Sequence, residues 1–182
     1  TQTYPLVSGA GDTDHASFTV AGTQLQTLNS FDFESQSPLY IRLRITDSQG
    51  ADYEEAVVLN VTNVNEVPLT LMLSADSIAE NEAAGTLVSN LSATDTDNND
   101  SHTYQLVTGT GDADNSSFSI SGNTLLSAAS FDFEIKNSYS IRLRATDAGG
   151  LFTDSAMIIR ITDVNESTTA IGEVNKPEAI II

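Results

Sequence analysis

The chain has 182 residues, enough for one large domain or two of ordinary size, and its 25 acidic against 7 basic residues give a net charge of −18 at pH 7. That charge disfavours nucleic acid and anionic membranes as partners, while a hydrophobic fraction of 40% is too high for a disordered acidic tail. The absence of cysteine excludes disulfides and thiolate metal sites, and no apolar run is long enough to predict insertion into a membrane.

The sequence repeats itself with a period of 100 residues and without a gap. Residues 3–66 align with 103–166, and 29 of these 64 positions are identical. Residues 68–102 have no counterpart in the first copy. We therefore predict an N-terminally truncated copy over 1–66, a complete copy over 67–166, and a tail or the start of a further copy over 167–182.

Short segments of alternating polar and apolar residues predict β-strands in the complete copy. In chain order these segments are 69–73, 85–89, 103–107, 117–120, 140–144 and 157–161. No stretch has a sustained helical period, and the nearest candidate, 78–84, is predicted to be a turn or a strand end. Roughly seven short strands in about 100 residues predict an all-β fold, with tandem antiparallel Greek-key β-sandwiches of immunoglobulin-like type.

Acidic residues recur at equivalent turns of the two copies. In the complete copy they follow the first and second strands, flank the long strand that carries two arginines, and close the copy. Carboxylate and amide oxygens gathered from several loops suit Ca²⁺, whereas zinc would require His or Cys. Like charges two residues apart on one strand face repel each other, so the Asp-x-Asp and Asp-x-Glu pairs favour a bound cation.

Other polar residues are interpreted as structural. Asp12, Asp14, Asp112 and Asp114 follow Gly-x-Gly and are expected to accept local backbone hydrogen bonds in turns. Arg42, Arg44, Arg142 and Arg144 are expected to form solvent-facing stripes that pair with neighbouring acids. His15 and His102 have no repeat partners and are interpreted as chance surface histidines.

Two alternative carboxylate chemistries fit the sequence poorly. The segment that starts at Asp95 opens like an EF-hand loop, but its sixth position is Asp100 instead of Gly and its twelfth is Leu106 instead of Glu. A glycosidase pair would not be duplicated at equivalent positions without an aromatic-rich cleft. We therefore predict that the chain is not an enzyme.

At this point the residues resemble a known family, the cadherin repeat, and in particular the bacterial cadherin-like modules. The resemblance covers residues 3–166 and rests on a set of motifs in a fixed order. The motifs are Ala79-Glu80-Asn81, Ala93-Thr94-Asp95-Thr96-Asp97, Tyr104-Gln105-Leu106, Phe131-Asp132-Phe133-Glu134, Arg144-Ala145-Thr146-Asp147-Ala148-Gly149-Gly150 and Thr162-Asp163-Val164-Asn165-Glu166.

The resemblance implies Ca²⁺ sites at the junctions between repeats. The complete junction it implies consists of Asp32, Glu34, Asn65, Glu66, Asp95, Asp97 and Asp147. A C-terminal half-site, which would await a further repeat, consists of Glu80, Asp132, Glu134, Asp163, Asn165 and Glu166. The first copy lacks a counterpart of Glu80, so its junction is expected to have one carboxylate fewer.

The implied function is an extracellular or cell-surface adhesion repeat that Ca²⁺ rigidifies, with other cadherin-like modules as partners. A Ca²⁺-dependent module that binds surface polysaccharide is the alternative. The truncated first copy is expected to have exposed sheet edges, and residues 179–182 form a strand-like apolar end. These two features raise the hypothesis of a strand-complemented homodimer.

Overall fold

The computed structural model describes residues 2–166. In that range its strands are β1 (Phe18–Ala21), β2 (Gln24–Thr27), β3 (Leu39–Thr46), β4 (Asp52–Leu59), β5 (Thr70–Leu73), β6 (Ser77–Ala79), β7 (Leu87–Thr94), β8 (Thr103–Leu106), β9 (Phe118–Ser121), β10 (Thr124–Ser127), β11 (Ser138–Thr146) and β12 (Phe152–Thr162). Two short 3₁₀ helices, His15–Ser17 and Asn115–Ser117, precede β1 and β9. None of the helices in this range is of the length and apolarity that crossing a bilayer requires.

The chain divides into two compact units whose limits differ from those of the sequence repeats. Among the described residues, the first unit comprises 2–70, 94–101 and 147–152. The second comprises 71–93, 102–146 and 153–166. Two loops of the second repeat therefore belong to the unit that contains the first repeat, and these loops carry the predicted ligands Asp95, Asp97 and Asp147.

The second unit contains two four-stranded sheets, with strand orders β5-β7-β10-β9 and β6-β12-β11-β8. The alternation of β11 turns Ile141, Leu143 and Ala145 inward, where all three are fully buried. Strand β6 pairs in parallel with β12, whereas β10 with β7 and β11 with β8 are antiparallel. The predicted all-β sandwich is confirmed. The parallel pairing of β6 with β12 was not predicted, since only antiparallel strands were expected.

The sequence pattern located most strands of the complete copy but missed two. Strand β6 falls at the start of the 78–84 segment, and its three residues are too few to establish a period of two. Strand β10 follows β9 after a tight turn in which Gly122 has φ of 59°. A left-handed conformation of this kind suits glycine, which has no Cβ to clash.

The first unit contains the corresponding strands of the first repeat as two two-stranded sheets, β1-β2 and β3-β4. Isolated bridges from Thr3 and Leu6 extend the β3 edge. Phe18 stacks on Phe31 with ring centroids 5.4 Å apart, as Phe118 packs on Phe131 at 5.4 Å in the second unit. The two repeats thus build their aromatic cores from the same positions.

Equivalent apolar residues nevertheless differ in burial between the repeats. Leu125 is 0% exposed, whereas its counterpart Leu25 is 36% exposed. Strand β10, which carries Leu125, pairs with β7, but residues 2–66 include no counterpart of β5, β6 or β7. The core of the first unit is therefore open on the side that these strands cover in the second unit.

The polar residues interpreted as structural occupy the expected roles, with one exception. Asp112 Oδ2 accepts a hydrogen bond from the Gly109 N–H at 2.9 Å, and Arg144 Nε donates to Asp154 Oδ1 at 2.7 Å. The interpretation of His15 as a chance surface residue is wrong. Its half-buried Nε2 accepts the Arg42 backbone N–H at 2.7 Å, a role that an amide oxygen has in the second repeat.

This difference in burial predicts that the same leucine-to-alanine substitution lowers the stability of the two units by different amounts. We expect Leu125→Ala to lower the free energy of unfolding by about 2–5 kcal/mol, because it leaves a cavity in a closed core. Leu25→Ala should cost about half of that or less, because part of the side chain already contacts water. Urea unfolding of each variant, followed by amide NMR signals from each unit, measures both values. Equal costs would contradict the open core of the first unit.

Candidate metal centre

Three carboxylates of the first unit converge into one cluster, which we name the junction cluster: Glu34, Glu66 and Asp97. One oxygen of each lies within 4.8 Å of the others. Glu34 lies in the turn before β3, Glu66 in the extended segment after β4, and Asp97 in the turn after β7. All three residues are half-buried, so solvent screens their charges less than on an open surface.

Both oxygens of Asp97 are held by the segment that follows β4. Asn63 Nδ2 donates to Asp97 Oδ1 at 2.8 Å, and the Glu66 backbone N–H donates to Oδ2 at 2.9 Å. These two bonds, the backbone bond first, hold the pKa of Asp97 below its ordinary value. Asp97 therefore remains charged beside its acidic neighbours.

The other two carboxylates of the junction cluster are destabilised in their charged forms. Burial raises the pKa of Glu66, and repulsion from Asp97, Glu34 and Asp32 raises it further. Burial, and then repulsion from Asp32 and Asp97, also raises the pKa of Glu34. In addition, Glu66 Oε2 is buried without a hydrogen-bond partner. The cluster thus concentrates negative charge that nothing among the described residues neutralises.

A second contact fixes the same segment to the turn after β11. Asn65 Nδ2 donates to Asp147 Oδ2 at 2.9 Å, and Asp147 Oδ1 accepts the Leu151 N–H at 2.8 Å. Burial raises the pKa of Asp147, but the bonds from Asn65 and the Leu151 backbone outweigh it and lower the pKa overall. Asp147 is therefore a buried carboxylate in its charged form.

Gly149 permits this contact because a larger residue would occupy the place of Asn65. A Cβ added to Gly149 would lie 2.3 Å from Asn65 Oδ1, far inside van der Waals contact. At the counterpart of Gly149 the first repeat has Gln49. The missing Cβ of Gly149 thus leaves the space that the Asn65 side chain occupies on this turn.

The prediction that the two acids of an Asp-x-Glu or Asp-x-Asp pair lie on one strand face is wrong. Asp32 with Glu34, and Asp95 with Asp97, lie outside the strands. Asp32 Oδ1 accepts the Glu34 N–H at 3.1 Å, and Asp95 Oδ1 accepts the Asp97 N–H at 3.1 Å. In these two pairs the first acid thus stabilises the turn, and the second belongs to the junction cluster.

Two further residues of this region, Asn63 and Asp100, are not among the predicted metal ligands. Asn63 is the counterpart of Asp163, which was a candidate, so the repeat alignment held the signal for it. Asp100 Oδ1 accepts the Ser101 N–H at 2.6 Å, and its Oδ2 is buried without a partner. Nothing in the sequence pattern distinguishes Asp100 from a loop acid.

A second cluster, which we name the C-terminal cluster, lies in the second unit and consists of Glu80, Asp132 and Glu134. One oxygen of each lies within 4.8 Å of the others. Glu80 is only 2% exposed, and its two oxygens accept the N–H groups of Val164 and Phe133 at 2.8 Å each. These bonds hold the pKa of Glu80 below its ordinary value despite its burial.

The three remaining candidates of the half-site, Asp163, Asn165 and Glu166, differ in their relation to the C-terminal cluster. A backbone hydrogen bond lowers the pKa of Glu134, but burial and repulsion from Glu80, Glu166 and Asp163 outweigh it and raise the pKa overall. Asp163 and Glu166 are therefore close enough to Glu134 to repel its charge. Glu166 Oε1 also accepts a hydrogen bond from Asn81 Nδ2 at 2.6 Å. Asn165 is exposed.

The repulsion in the junction cluster predicts a coupled titration. In metal-free protein we expect Asp97→Asn to lower the pKa of Glu34 and of Glu66, because a negative neighbour is removed while burial is retained. Carboxyl carbon NMR titration measures both values. Asp12→Asn, in a turn of the same unit, is the control and should leave both unchanged. If Asp97→Asn also left them unchanged, repulsion would not be the cause of their shifts.

The close approach at Gly149 predicts that a single methyl group disturbs the Asn65 contact. Gly149→Ala should displace the Asn65 amide, raise the pKa of Asp147, and cost about 1–3 kcal/mol of stability, as overpacking does. The Asn65 side-chain amide NMR signals and a thermal melt report these changes. Gln49→Ala tests the counterpart position and should have little effect on either measurement.

Comparison with known proteins identifies the family. A family model described as a cadherin domain matches residues 75–162. Protocadherin Fat 2 of Rattus norvegicus is 30% identical over 154 residues, which cover 80% of this chain and 4% of that protein. Human protocadherin-16 is 30% identical over 169 residues, which cover 87% of this chain and 5% of that protein. The chain thus spans a small part of the length of these relatives.

The fold agrees with solved cadherin structures. Human protocadherin-24 EC1-2 superposes with a TM-score of 0.66 at 20% sequence identity, and the match covers 89% of this chain and 82% of that chain. The resemblance found in the motifs is confirmed by these matches, as is the expectation that this is not an enzyme family. The chain belongs to the cadherin family.

Proposed function

We propose that the chain is a Ca²⁺-dependent adhesion module in which a cation at the junction cluster fixes the segment between the two sequence repeats, 1–66 and 67–166. The observation that carries the proposal is the convergence of Glu34, Glu66 and Asp97 within 4.8 Å, with one Glu66 oxygen buried and unpartnered. A cluster of this kind is costly without a counter-ion, because two of its carboxylates have raised pKa values.

The donor chemistry selects a hard cation. Ca²⁺ takes 6–8 oxygen ligands in flexible geometry, mostly from carboxylates and carbonyl groups, and the cluster with its neighbours offers oxygens of these types. Asp32 and Asp95 precede cluster residues by two positions, and Asn65 with Asp147 adds an amide and a further carboxylate. These residues complete the donor set that we assign to the junction, and no thiolate or imidazole is required.

The proposed mechanism is electrostatic. Without the cation, repulsion among the junction carboxylates opposes the hydrogen bonds that Asn63 and the Glu66 backbone donate to Asp97. With the cation, the same carboxylates become ligands, and residues 63–66 are tied to the loops 94–101 and 147–152. Metal binding thereby narrows the range of positions available to this segment. An adhesion array gains reach and a defined orientation from such stiffening.

We assign the C-terminal cluster to a second site of the same donor chemistry. Glu80, Asp132 and Glu134 supply three carboxylates from one repeat, as many as the junction cluster collects from two repeats. Affinities in the millimolar range are those of extracellular Ca²⁺ modules.

Calcium titration followed by thermal melting tests the proposal. A ligand that binds only the folded state stabilises it by about 2.7 kcal/mol at a concentration of 100 Kd, so the melting temperature should rise with Ca²⁺ concentration along a mass-action curve. Glu66→Gln and Asp97→Asn should remove most of this rise. Glu55→Gln, an exposed acid on β4, is the matched control and should retain it.

The mechanical part of the proposal has its own measurement. Small-angle X-ray scattering with Ca²⁺ and with EDTA should show a narrower distribution of interatomic distances in Ca²⁺, and Glu66→Gln should resemble the EDTA sample in both conditions. If EDTA leaves the melt and the scattering unchanged in the unmodified chain, the proposed function is wrong.

A further inference from the structure

Two backbone N–H groups of β3 donate to side chains of the turn that precedes β1. The Arg42 N–H donates to His15 Nε2 at 2.7 Å, and the Tyr40 N–H donates to Asp14 Oδ2 at 2.7 Å. Just before this turn the chain still pairs with β3 through its backbone, since the Val7 N–H donates to the Arg42 carbonyl at 3.0 Å. His15 and Asp14 therefore continue the edge of the sheet where the backbone pairing ends.

The second repeat makes both contacts, but with different chemistry at one of them. Asp114 Oδ2 accepts the Ser140 N–H at 2.8 Å, which repeats the Asp14 contact. The Arg142 N–H donates to Asn115 Oδ1 at 2.9 Å, where the first repeat uses an imidazole nitrogen. An amide oxygen does not titrate, whereas a ring nitrogen accepts a hydrogen bond only while it lacks a proton. The two repeats thus differ in whether this contact depends on protonation.

The contact of His15 specifies both the charge and the tautomer of its ring. Nε2 accepts a hydrogen bond and so carries no proton, which places the single proton of the neutral ring on Nδ1. A doubly protonated ring has two donors and no acceptor, and it would point an N–H group at the Arg42 N–H. Acid that charges the ring therefore removes the hydrogen bond and sets two donors against each other.

The contact lies where water replaces a lost partner incompletely. His15 and Arg42 are both half-buried, and the short helix His15–Ser17 packs against β1 and β3. An N–H group that loses its acceptor in such a place is costly to the folded state. A charged ring therefore favours release of the turn from β3, and the stability that the contact supplies is lost as the pH falls.

The other ionisable groups around this turn already have partners. Strand β1 carries no ionisable residue. The ionisable groups on the turn itself, on β3, and on β4 as partners of the β3 arginines are Asp12, Asp14, Tyr40, Arg42, Arg44, Asp52 and Glu54. Each of the four carboxylates among them accepts a backbone N–H group or pairs with an arginine.

These groups also keep their charges in mild acid better than an imidazole does. The Tyr40 N–H holds the pKa of Asp14 below its ordinary value, and the bonds from Arg44 and then Arg42 do the same for Glu54. Tyrosine and arginine do not change charge in mild acid, whereas histidine is the residue type that does so between about pH 5 and 8. His15 is the one histidine of this region.

We propose that His15 is a pH-sensitive switch in the first repeat. In neutral solution its unprotonated Nε2 holds the turn 9–17 against β3, and protonation in mild acid releases this turn. Asn115 keeps the equivalent turn 109–117 in place in the second repeat, so acid acts on one repeat and spares the other at this position. The inference is independent of the proposed function, because none of the groups involved is a candidate metal ligand.

The ring state is tested by NMR on the unmodified chain in EDTA. At about pH 7.5, a two-bond proton–nitrogen correlation spectrum should show Nε2 of His15 without a proton and Nδ1 with one. The signals that disappear in His15→Asn assign the ring. A His15 ring that carries its proton on Nε2 at this pH would overturn the proposal, since it offers the Arg42 N–H no acceptor.

Release of the turn is tested by hydrogen exchange of the Arg42 N–H. Opening that takes up one proton becomes more favourable by up to about tenfold for each unit that the pH falls. We therefore expect the protection factor of the Arg42 N–H to fall by about tenfold between about pH 7.5 and pH 5.5. The protection factor of the Arg142 N–H is the internal reference and should change by less than about twofold.

Two substitutions separate His15 from other effects of acid. His15→Asn introduces the residue of the second repeat and should give the Arg42 N–H the same high protection factor at both pH values. His102→Gln is the matched control, because it replaces the other histidine by the residue at the counterpart position in the first repeat, and it should retain the fall.

Four results would overturn the proposal. The first is an Arg42 protection factor in the unmodified chain that does not change with pH. The second is an equal fall at Arg142, which would assign the effect to the whole fold. The third is a fall of the same size in His15→Asn, which would assign it to another group. The fourth is low protection in His15→Asn at both pH values, since the two side chains would then not be equivalent acceptors.

Discussion

The hydrogen bonds that hold Asp97 impose the constraint on which the junction depends. They come from Asn63 and from the Glu66 backbone, so the segment after β4 is held to a residue whose charge repels its own carboxylate. These two hydrogen bonds thus hold the carboxylates of Glu66 and Asp97 close together although their charges repel each other. A divalent cation at this place would offset the repulsion among the carboxylates, which is the physical reason for proposing the metal site here.

The internal repeat accounts for most of what the sequence predicted. Alternation along 140–144 marked the strand that buries Ile141 and Leu143, and the equivalence of the two copies singled out Glu34 and Glu66 through their counterparts Glu134 and Glu166. Asp97 and Glu80 have no counterpart in the first copy and were predicted from the resemblance. Strand β6 escaped prediction because three residues carry no measurable period and because its partner, β12, lies more than seventy residues away, which no local pattern reports. The turn geometry of the acid pairs was likewise invisible, since spacing alone does not separate a strand from an Asx-type turn.

Identical residues acquire different environments when their neighbours differ. Leu25 and Leu125 occupy the same position of the same strand, yet among the described residues only Leu125 is enclosed, because strands from segment 68–94 pack over it. His15 shows the converse, since a different side chain satisfies the same backbone N–H that an amide oxygen satisfies in the other repeat. The two repeats therefore keep the same backbone hydrogen bonds and aromatic core positions, while the residues that supply a given hydrogen bond can differ between them.

Gly149 shows how a contact between two side chains can depend on a residue that has none. Because Gly149 lacks a Cβ, the Asn65 side chain lies directly against this turn and its amide reaches Asp147. A substitution at Gly149 would therefore change the environment of a buried carboxylate without altering any acidic residue.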